Sequence, residues 1–322
     1  MAALGGAGPL PGYNLCAVKK IQVRKTGQRL RRTEQRNAGT QGLDQRTTRE
    51  IVRAIARQDA SVPRAVAREI PSIARAVDAI AGAMGSGGRL IYVGAGTSGR
   101  LAVLDAAECP PTFGISPRRV QAMIAGGRRA LTGAVEGAED DAARGRKDLA
   151  AKRVGPRDAV VGLSASGTTP YVLGALQLAR RRGARTIAVT ANRRSPIARA
   201  ARIAIVPETG PEVIAGSTRM KAGTAQKLIL NMLSTAAMVR LGRVYNNWMI
   251  DVALSNKKLR ARGLRILQEA SGAHAPDAAR ALRLAKNNLR VALIMLKSGA
   301  NADDAARRLR SAGGNLRRAL GE

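Results

Sequence analysis

Aromatic residues are scarce: one Phe, one Trp and four Tyr in 322 residues. That scarcity removes the stacking platforms on which readers of single-stranded nucleic acid and RNA depend. Histidine occurs once, at His274, so histidine-based triads are excluded and any proton transfer falls to Glu, Asp, Lys, Tyr or water. The two cysteines, Cys16 and Cys109, cannot build a disulfide framework, and no Cys-x-x-Cys or His/Cys cluster has the spacing of a metal site. Such cysteine usage fits a reducing cytoplasm. Long apolar runs are missing as well. The longest uncharged stretch, residues 159–179, is broken by Gly162, Gly167, Pro170 and Gly174, so no membrane span is expected. Acidic residues are few, 22 Asp+Glu against 55 Lys+Arg, for a formal net charge of +33. A field of that sign draws in anions, from phosphorylated small molecules to nucleic acid.

What is present is a foldable pattern, with 45% hydrophobic residues in periodic segments. The first 33 residues carry seven basic and no acidic residues, and the basic ones follow the apolar stretch, the reverse of a secretory signal. Residues 1–31 read as a disordered basic leader. Ile51 and Ile55 lie one turn apart in a helix over 48–58, and Ile73, Val77, Ile80 and Met84 form one stripe of a helix over 71–84. Short β-rich runs at 90–93, 120–124, 159–163, 186–189 and 203–206 then alternate with crossover-length segments. Their uninterrupted apolar character predicts a doubly wound α/β fold, a five-stranded parallel sheet flanked by helices. Beyond it, residues 216–242 read as a long helix opened by Ser217 and Thr218, and 244–262 as another. Short Ala/Leu-rich helices from about residue 271 make a small C-terminal helical module.

Two loops carry the chemistry. The first strand runs into Gly94-Ala95-Gly96-Thr97-Ser98-Gly99, a G-x-G-x-x-G at a strand-to-helix turn. A dinucleotide site also wants an acid at the end of the second strand, and Met123-Ile124-Ala125-Gly126-Gly127 has none. Arg128 and Arg129 keep an NADP reading open. The third strand ends in a similar loop, Ser164-Ala165-Ser166-Gly167-Thr168-Thr169-Pro170. Small residues let backbone N–H groups approach an anion, hydroxyls add directed donors, and each following helix offers its positive end. In a sheet ordered 2-1-3-4-5 both loops face the crevice at the topological switch point, a phosphate cradle. Singly, each hydroxyl could equally be a helix N-cap.

Without histidine, carboxylates must serve as acid and base. In Asp105-Ala106-Ala107-Glu108-Cys109-Pro110-Pro111 the paired prolines are expected to close the helix begun at Thr97, leaving Glu108 near a helix C-terminus that favours its protonated form. The run Glu136-Gly137-Ala138-Glu139-Asp140-Asp141 opens the next helix, where an ionised carboxylate is favoured. It is either a source of a base or ordinary capping. In the segment 210–224, Ser217 or Thr218 would cap the helix that follows, and Arg219 and Lys221 offer cations to a phosphate or carboxylate.

At these residues the chain resembles a known family. Arg32-Thr33-Glu34-Gln35-Arg36-Asn37 and the segments 94–111, 135–141 and 210–226 together are similar to the N-acetylmuramic acid 6-phosphate etherases. The last segment also resembles the signature shared with glucokinase regulatory proteins. The resemblance spans roughly residues 31–322 and implies a sugar isomerase (SIS) fold over 32–262, with the helical module over 263–322. It further implies a homodimer that cleaves the D-lactyl ether of a phosphorylated amino sugar in bacterial cell-wall recycling, in the cytoplasm and with no cofactor or metal. On this resemblance Glu108 is the proton donor and Glu139, rather than Glu136, the second active-site glutamate. The hexose phosphate is expected on Ser98, Ser164, Ser166 and Thr168, with Gly96, Thr97, Ser217 and Lys221 completing the substrate-binding set. The leader has no counterpart in the family, and the +33 charge exceeds what the family leads one to expect. Two other readings are a non-catalytic sugar-phosphate sensor of the same fold and a basic protein that attracts nucleic acid without specificity.

Overall fold

The five apolar runs become one sheet in the computed structural model, which describes residues 31–254 and 256–322. Its strands are β1 (Leu90–Gly94), β2 (Val120–Ile124), β3 (Ala159–Leu163), β4 (Arg185–Val189) and β5 (Ile203–Ile205). All pairings are parallel and the order is β2-β1-β3-β4-β5, as expected from the sequence. The strands of β1 and β3 are buried at every residue, which is why they read as continuous apolar runs rather than alternating ones.

Alternate side chains nevertheless enter different layers. Leu90, Tyr92 and Val161 join the core built with α3 (Ile70–Gly85), α4 (Gly96–Phe113) and α8 (Lys221–Arg240). Ile91, Val93 and Val160 meet α5 (Ala142–Ala151), α6 (Pro170–Arg181) and α7 (Pro196–Ala200) on the other face. Ahead of these lie α1 (Thr48–Asp59), opened by a Thr47/Glu50 capping box, and α2 (Val62–Ala67). The C-terminal helices are α9 (Lys257–Ser271), α10 (Ala275–Leu284), α11 (Leu289–Ser298), α12 (Ala302–Ser311) and α13 (Leu316–Leu320). They share a second apolar cluster that includes Leu267, Leu282, Leu293 and Leu316. Asn256, Asn288, Asn301 and Asn315 cap four of them at the N-terminus. Gly272, Gly299 and Gly321 end three in the left-handed conformation.

Three expectations are corrected. Helix α4 does not stop at Pro110-Pro111 but continues to Phe113, because Cys109 and Phe113 bury in the core beside it and hold the last turn; Gly114 ends it. Helix α8 starts at Lys221, not at 216 or 217. Residues 244–254 are not helical. Tyr245 and Trp248 close a turn on each other with their rings stacked, and Asn246 takes a positive φ of 49°, which breaks helical geometry before the Asn256 cap. Helix α9 therefore runs across positions 262 and 263. The leader lies outside the described residues except for Arg31.

Helices α5 and α6 approach backbone to backbone. A Cβ on Gly145 would stand 2.0 Å from the Tyr171 carbonyl oxygen, and one on Gly174 would stand 2.2 Å from that of Ala142. Gly145→Ala is therefore expected to destabilise the chain by about 1–3 kcal/mol through overpacking, read as a lower denaturant midpoint with an unchanged slope.

Candidate active site

The register of the central strands sets the geometry. Gly94 at the end of β1 is paired with Ile124 on one side and Leu163 on the other, so the loops after β1 and β3 leave the same rim side by side. In the first loop Gly96 is exposed with a positive φ of 51°, Thr97 is half-buried and Ser98 is buried at the first turn of α4. The second loop is a network of hydroxyls. Ser164 Oγ lies 2.8 Å from Thr169 Oγ1 and 3.3 Å from Ser166 Oγ, and it accepts from the Gly167 N–H at 3.0 Å. Ser166 Oγ in turn lies 3.0 Å from Thr168 Oγ1. Gly167 has a φ of 72°, and a Cβ there would stand 2.3 Å from Ser195 Cβ, so the turn admits only glycine. Asn192, beyond β4, donates to the carbonyls of Ala165 and Ser166 and locks the loop from behind.

A third segment closes on this rim. The carboxylate of Glu212 is fully buried and accepts from the N–H groups of Lys221 and Ala222, both at 2.9 Å. It caps α8 from nine residues away, where an anion meets the positive end of the helix. Met220 occupies the N-cap position itself, so the expected cap by Ser217 or Thr218 is replaced, and Ser217 is half-buried in the loop before the helix. The buried Lys221 side chain donates to Gln58 Oε1 at 2.9 Å. Burial pulls its ammonium below the usual lysine range, against the opposing charges of Glu212 and Asp59. At Gly223 an added Cβ would lie 3.5 Å from Thr97 Cγ2, which places the start of α8 against the first loop.

The segment from Arg31 to Thr40 fastens this corner. Gly216 N–H donates to the Thr33 carbonyl, Asn37 donates to the Pro211 carbonyl, and Thr40 donates to that of Val213. Arg31 donates to Thr168 Oγ1 at 3.1 Å and brings a guanidinium to the second loop.

The two glutamates fall in different places. Glu139 is exposed, and its carbonyl accepts from the Tyr171 N–H in the first turn of α6, so it sits at the mouth of the second loop. Glu108 is ten residues beyond Ser98 on α4, about 15 Å along the helix axis and away from the rim. There it lines a cleft of about 360 Å³ between α4 and α8, together with Asp105, Lys227, Asn231 and Ser234. Asp105 is buried in the floor of that cleft and accepts from Tyr92 Oη at 2.8 Å and Ser234 Oγ at 3.0 Å. Burial pushes its carboxyl above the usual carboxylate range, against the pull of those two hydrogen bonds. Burial likewise pushes the Cys109 thiol up to about 12, which leaves it inert beside them.

Comparison with known proteins is specific. Residues 72–180 match the glucokinase regulatory protein N-terminal SIS domain, and residues 137–236 match the SIS domain family. An N-acetylmuramic acid 6-phosphate etherase of Bacillus licheniformis is 50% identical over 82% of this chain and 87% of its own length. One from Serratia proteamaculans is 53% identical over 82% of this chain and 89% of its own. The chain belongs to the N-acetylmuramic acid 6-phosphate etherase family. Among solved structures, a phosphoheptose isomerase from Francisella tularensis is 19% identical over 61% of this chain and 98% of its own, with a TM-score of 0.45.

Within this member of the etherase family, the rim brings together Gly96, Thr97, Ser98, Ser164, Ser166, Thr168, Lys221 and the Glu139 backbone, and does not bring Glu108 to them. Sequence reasoning gave no role to three residues. Arg31 falls at the end of the leader, Asp105 stands in the shadow of Glu108, and Glu212 carries no local signal because its partners lie nine and ten residues on. Only the spacing of Asp105 and Glu108, three apart and hence on one helix face, was available as a clue. Glu212→Gln, which turns an amide toward two buried N–H groups, is expected to cost about 1–3 kcal/mol in equilibrium unfolding. Asp140→Asn, on the exposed surface, is expected to stay within about 0.5 kcal/mol.

Proposed function

We propose that this chain hydrolyses the D-lactyl ether of N-acetylmuramic acid 6-phosphate to N-acetylglucosamine 6-phosphate and D-lactate. The observation that carries the reading is the pair of hydroxyl-lined loops opening side by side at the switch point of the sheet, in a chain about half identical to etherases over most of its length. The 6-phosphate is held by Ser98, Ser164, Ser166 and Thr168, with N–H groups of Gly96 and Thr97 and the cations of Arg31 and Lys221 around it. Ser217 borders the sugar.

The reaction is an elimination followed by addition. With the sugar ring open, the C2 proton lies next to the aldehyde and is removed by a carboxylate. The bond between C3 and the lactyl oxygen then breaks as a carboxylic acid protonates that oxygen; water, giving up a proton to the carboxylate so formed, adds to C3 of the unsaturated aldehyde, and C2 takes back a proton from the other carboxyl group. Glu108 is the donor to the leaving oxygen and Glu139 the partner acid/base, so two positioned carboxyl groups account for every proton moved. Retention of both glutamates favours this over a non-catalytic sugar-phosphate sensor. The reaction belongs to the cytoplasm, as one step in recycling cell-wall sugars.

A sugar and its phosphate are too short to reach from the rim to Glu108 along one α4 helix. We infer that the homodimer resolves this, with Glu108 of the partner subunit facing the cradle. The outer surfaces of α4 and α8 support such a contact, since Leu104 is 54% exposed, Met232 39% and Val239 48% on the two helices that flank the Glu108 cleft.

Purified protein is expected to release D-lactate from the 6-phosphorylated substrate and not from the unphosphorylated sugar; equal turnover of both would overturn the cradle assignment. Glu108→Gln is expected to lower lactate release by about two to four orders of magnitude while phosphosugar binding persists, measured by calorimetry. Mixing Glu108→Gln with a cradle variant such as Ser166→Asp, followed by subunit exchange, is expected to restore about a quarter of wild-type activity, since half the dimers are mixed and each holds one intact site. No recovery would place both functions in one subunit.

A further inference from the structure

Much of the positive charge is unexplained by a site for one phosphosugar. Residues 159–207 contain eight arginines and no Asp or Glu. On the outer face of α6 and α7, Arg180, Arg181 and Arg199 line an open cavity of about 630 Å³ with Gln177 and Pro196. Arg180 donates to the carbonyl of Ala200 at 3.2 Å, tying the end of α6 to the end of α7, and the exposed Arg182 and Arg202 follow these two helices in the chain. All five arginines are exposed. Among the described residues, none of them forms an ion pair. The neighbouring α5 does not neutralise them: its Asp148 is held by Arg144 and by Tyr171 Oη, and Arg146 and Lys147 add two further cations.

This face is separate from the etherase site. It lies on the opposite side of the sheet from α4 and α8, and Arg181 is eleven residues down α6 from the rim, about 16 Å. Its chemistry narrows the partner. None of the exposed large apolar side chains among the described residues lies on α6 or α7, so the face has neither the anchors of a protein interface nor the wedge of a membrane-inserting helix. Its aromatic residue, Tyr171, is buried, so it cannot stack on bases. Guanidinium groups spread over an open, carboxylate-free surface fit a chain of repeating phosphates. We propose that the α6–α7 face binds the phosphate backbone of nucleic acid, without base recognition, while the active site remains free.

The test is fluorescence anisotropy of the full chain on a labelled DNA duplex of mixed sequence across a potassium chloride series. The triple substitution Arg181→Gln, Arg182→Gln and Arg199→Gln is expected to weaken binding by about tenfold or more and to reduce the salt slope by about two to three. A second triple, Arg283→Gln, Arg308→Gln and Arg310→Gln, removes the same charge from exposed positions on α10 and α12 and is expected to bind within about threefold of wild type. D-lactate release should be unchanged in both triples, which shows that each is folded. Equal losses in the two triples would reduce the effect to net charge and overturn the proposal. So would saturable calorimetric binding of inorganic phosphate, abolished by the first triple, in a protein that leaves the duplex unbound.

Discussion

The in-register parallel pairing of β1 with β3 is the constraint on which the rest of the structure depends. Because the two strands end level, with Gly94 opposite Leu163, their loops open at the same height. Because the chain order reverses between them, the helices that follow go to opposite faces and leave a crevice. One slipped residue would separate the hydroxyls of the second loop from the N–H groups of the first and turn every buried side chain to the wrong layer. The strands are uniformly apolar for the same reason, since helices cover both faces.

Around that rim the protein uses polar groups to hold its loops in place. Glu212 gives both carboxylate oxygens to the first turn of α8, and Lys221 is held against Gln58 on α1. Asn192 braces the second loop through two carbonyls. Each is a hydrogen-bonded group, buried at Glu212 and Lys221 and half-buried at Asn192, whose loss leaves a partner unpaired. The motif at Arg32–Asn37 belongs to the same work. It stitches the 210–216 segment to the body of the fold, and this explains why two stretches so far apart in sequence carry the family resemblance together.

The carboxylates divide between two environments. Glu139 is exposed at the mouth of the cradle, whereas Glu108 and the buried Asp105 share the α4–α8 cleft. A helix that starts at the rim and runs back along the sheet necessarily carries its later residues away from that rim. Leu104 on α4 and Met232 and Val239 on α8 remain exposed on the two helices that flank that cleft.

Local pattern alone determined the strands, their parallel arrangement, both hydroxyl loops and the helical tail, because each is written in residues adjacent in sequence: apolar runs, Gly/Ser/Thr turns, and short Ala/Leu-rich segments. The same kind of reading misjudges the prolines at 110 and 111, the start of α8 and residues 244–254. Those outcomes rest on side-chain contacts that no local pattern announces: the core beneath Phe113, the Glu212 carboxylate, and the stacking of Tyr245 on Trp248. The face of the sheet that each helix covers, and with it the faces on which Glu108 and the arginines of α6 and α7 lie, had no local signature. They follow from the direction in which each helix leaves the sheet, and only the folded chain sets that.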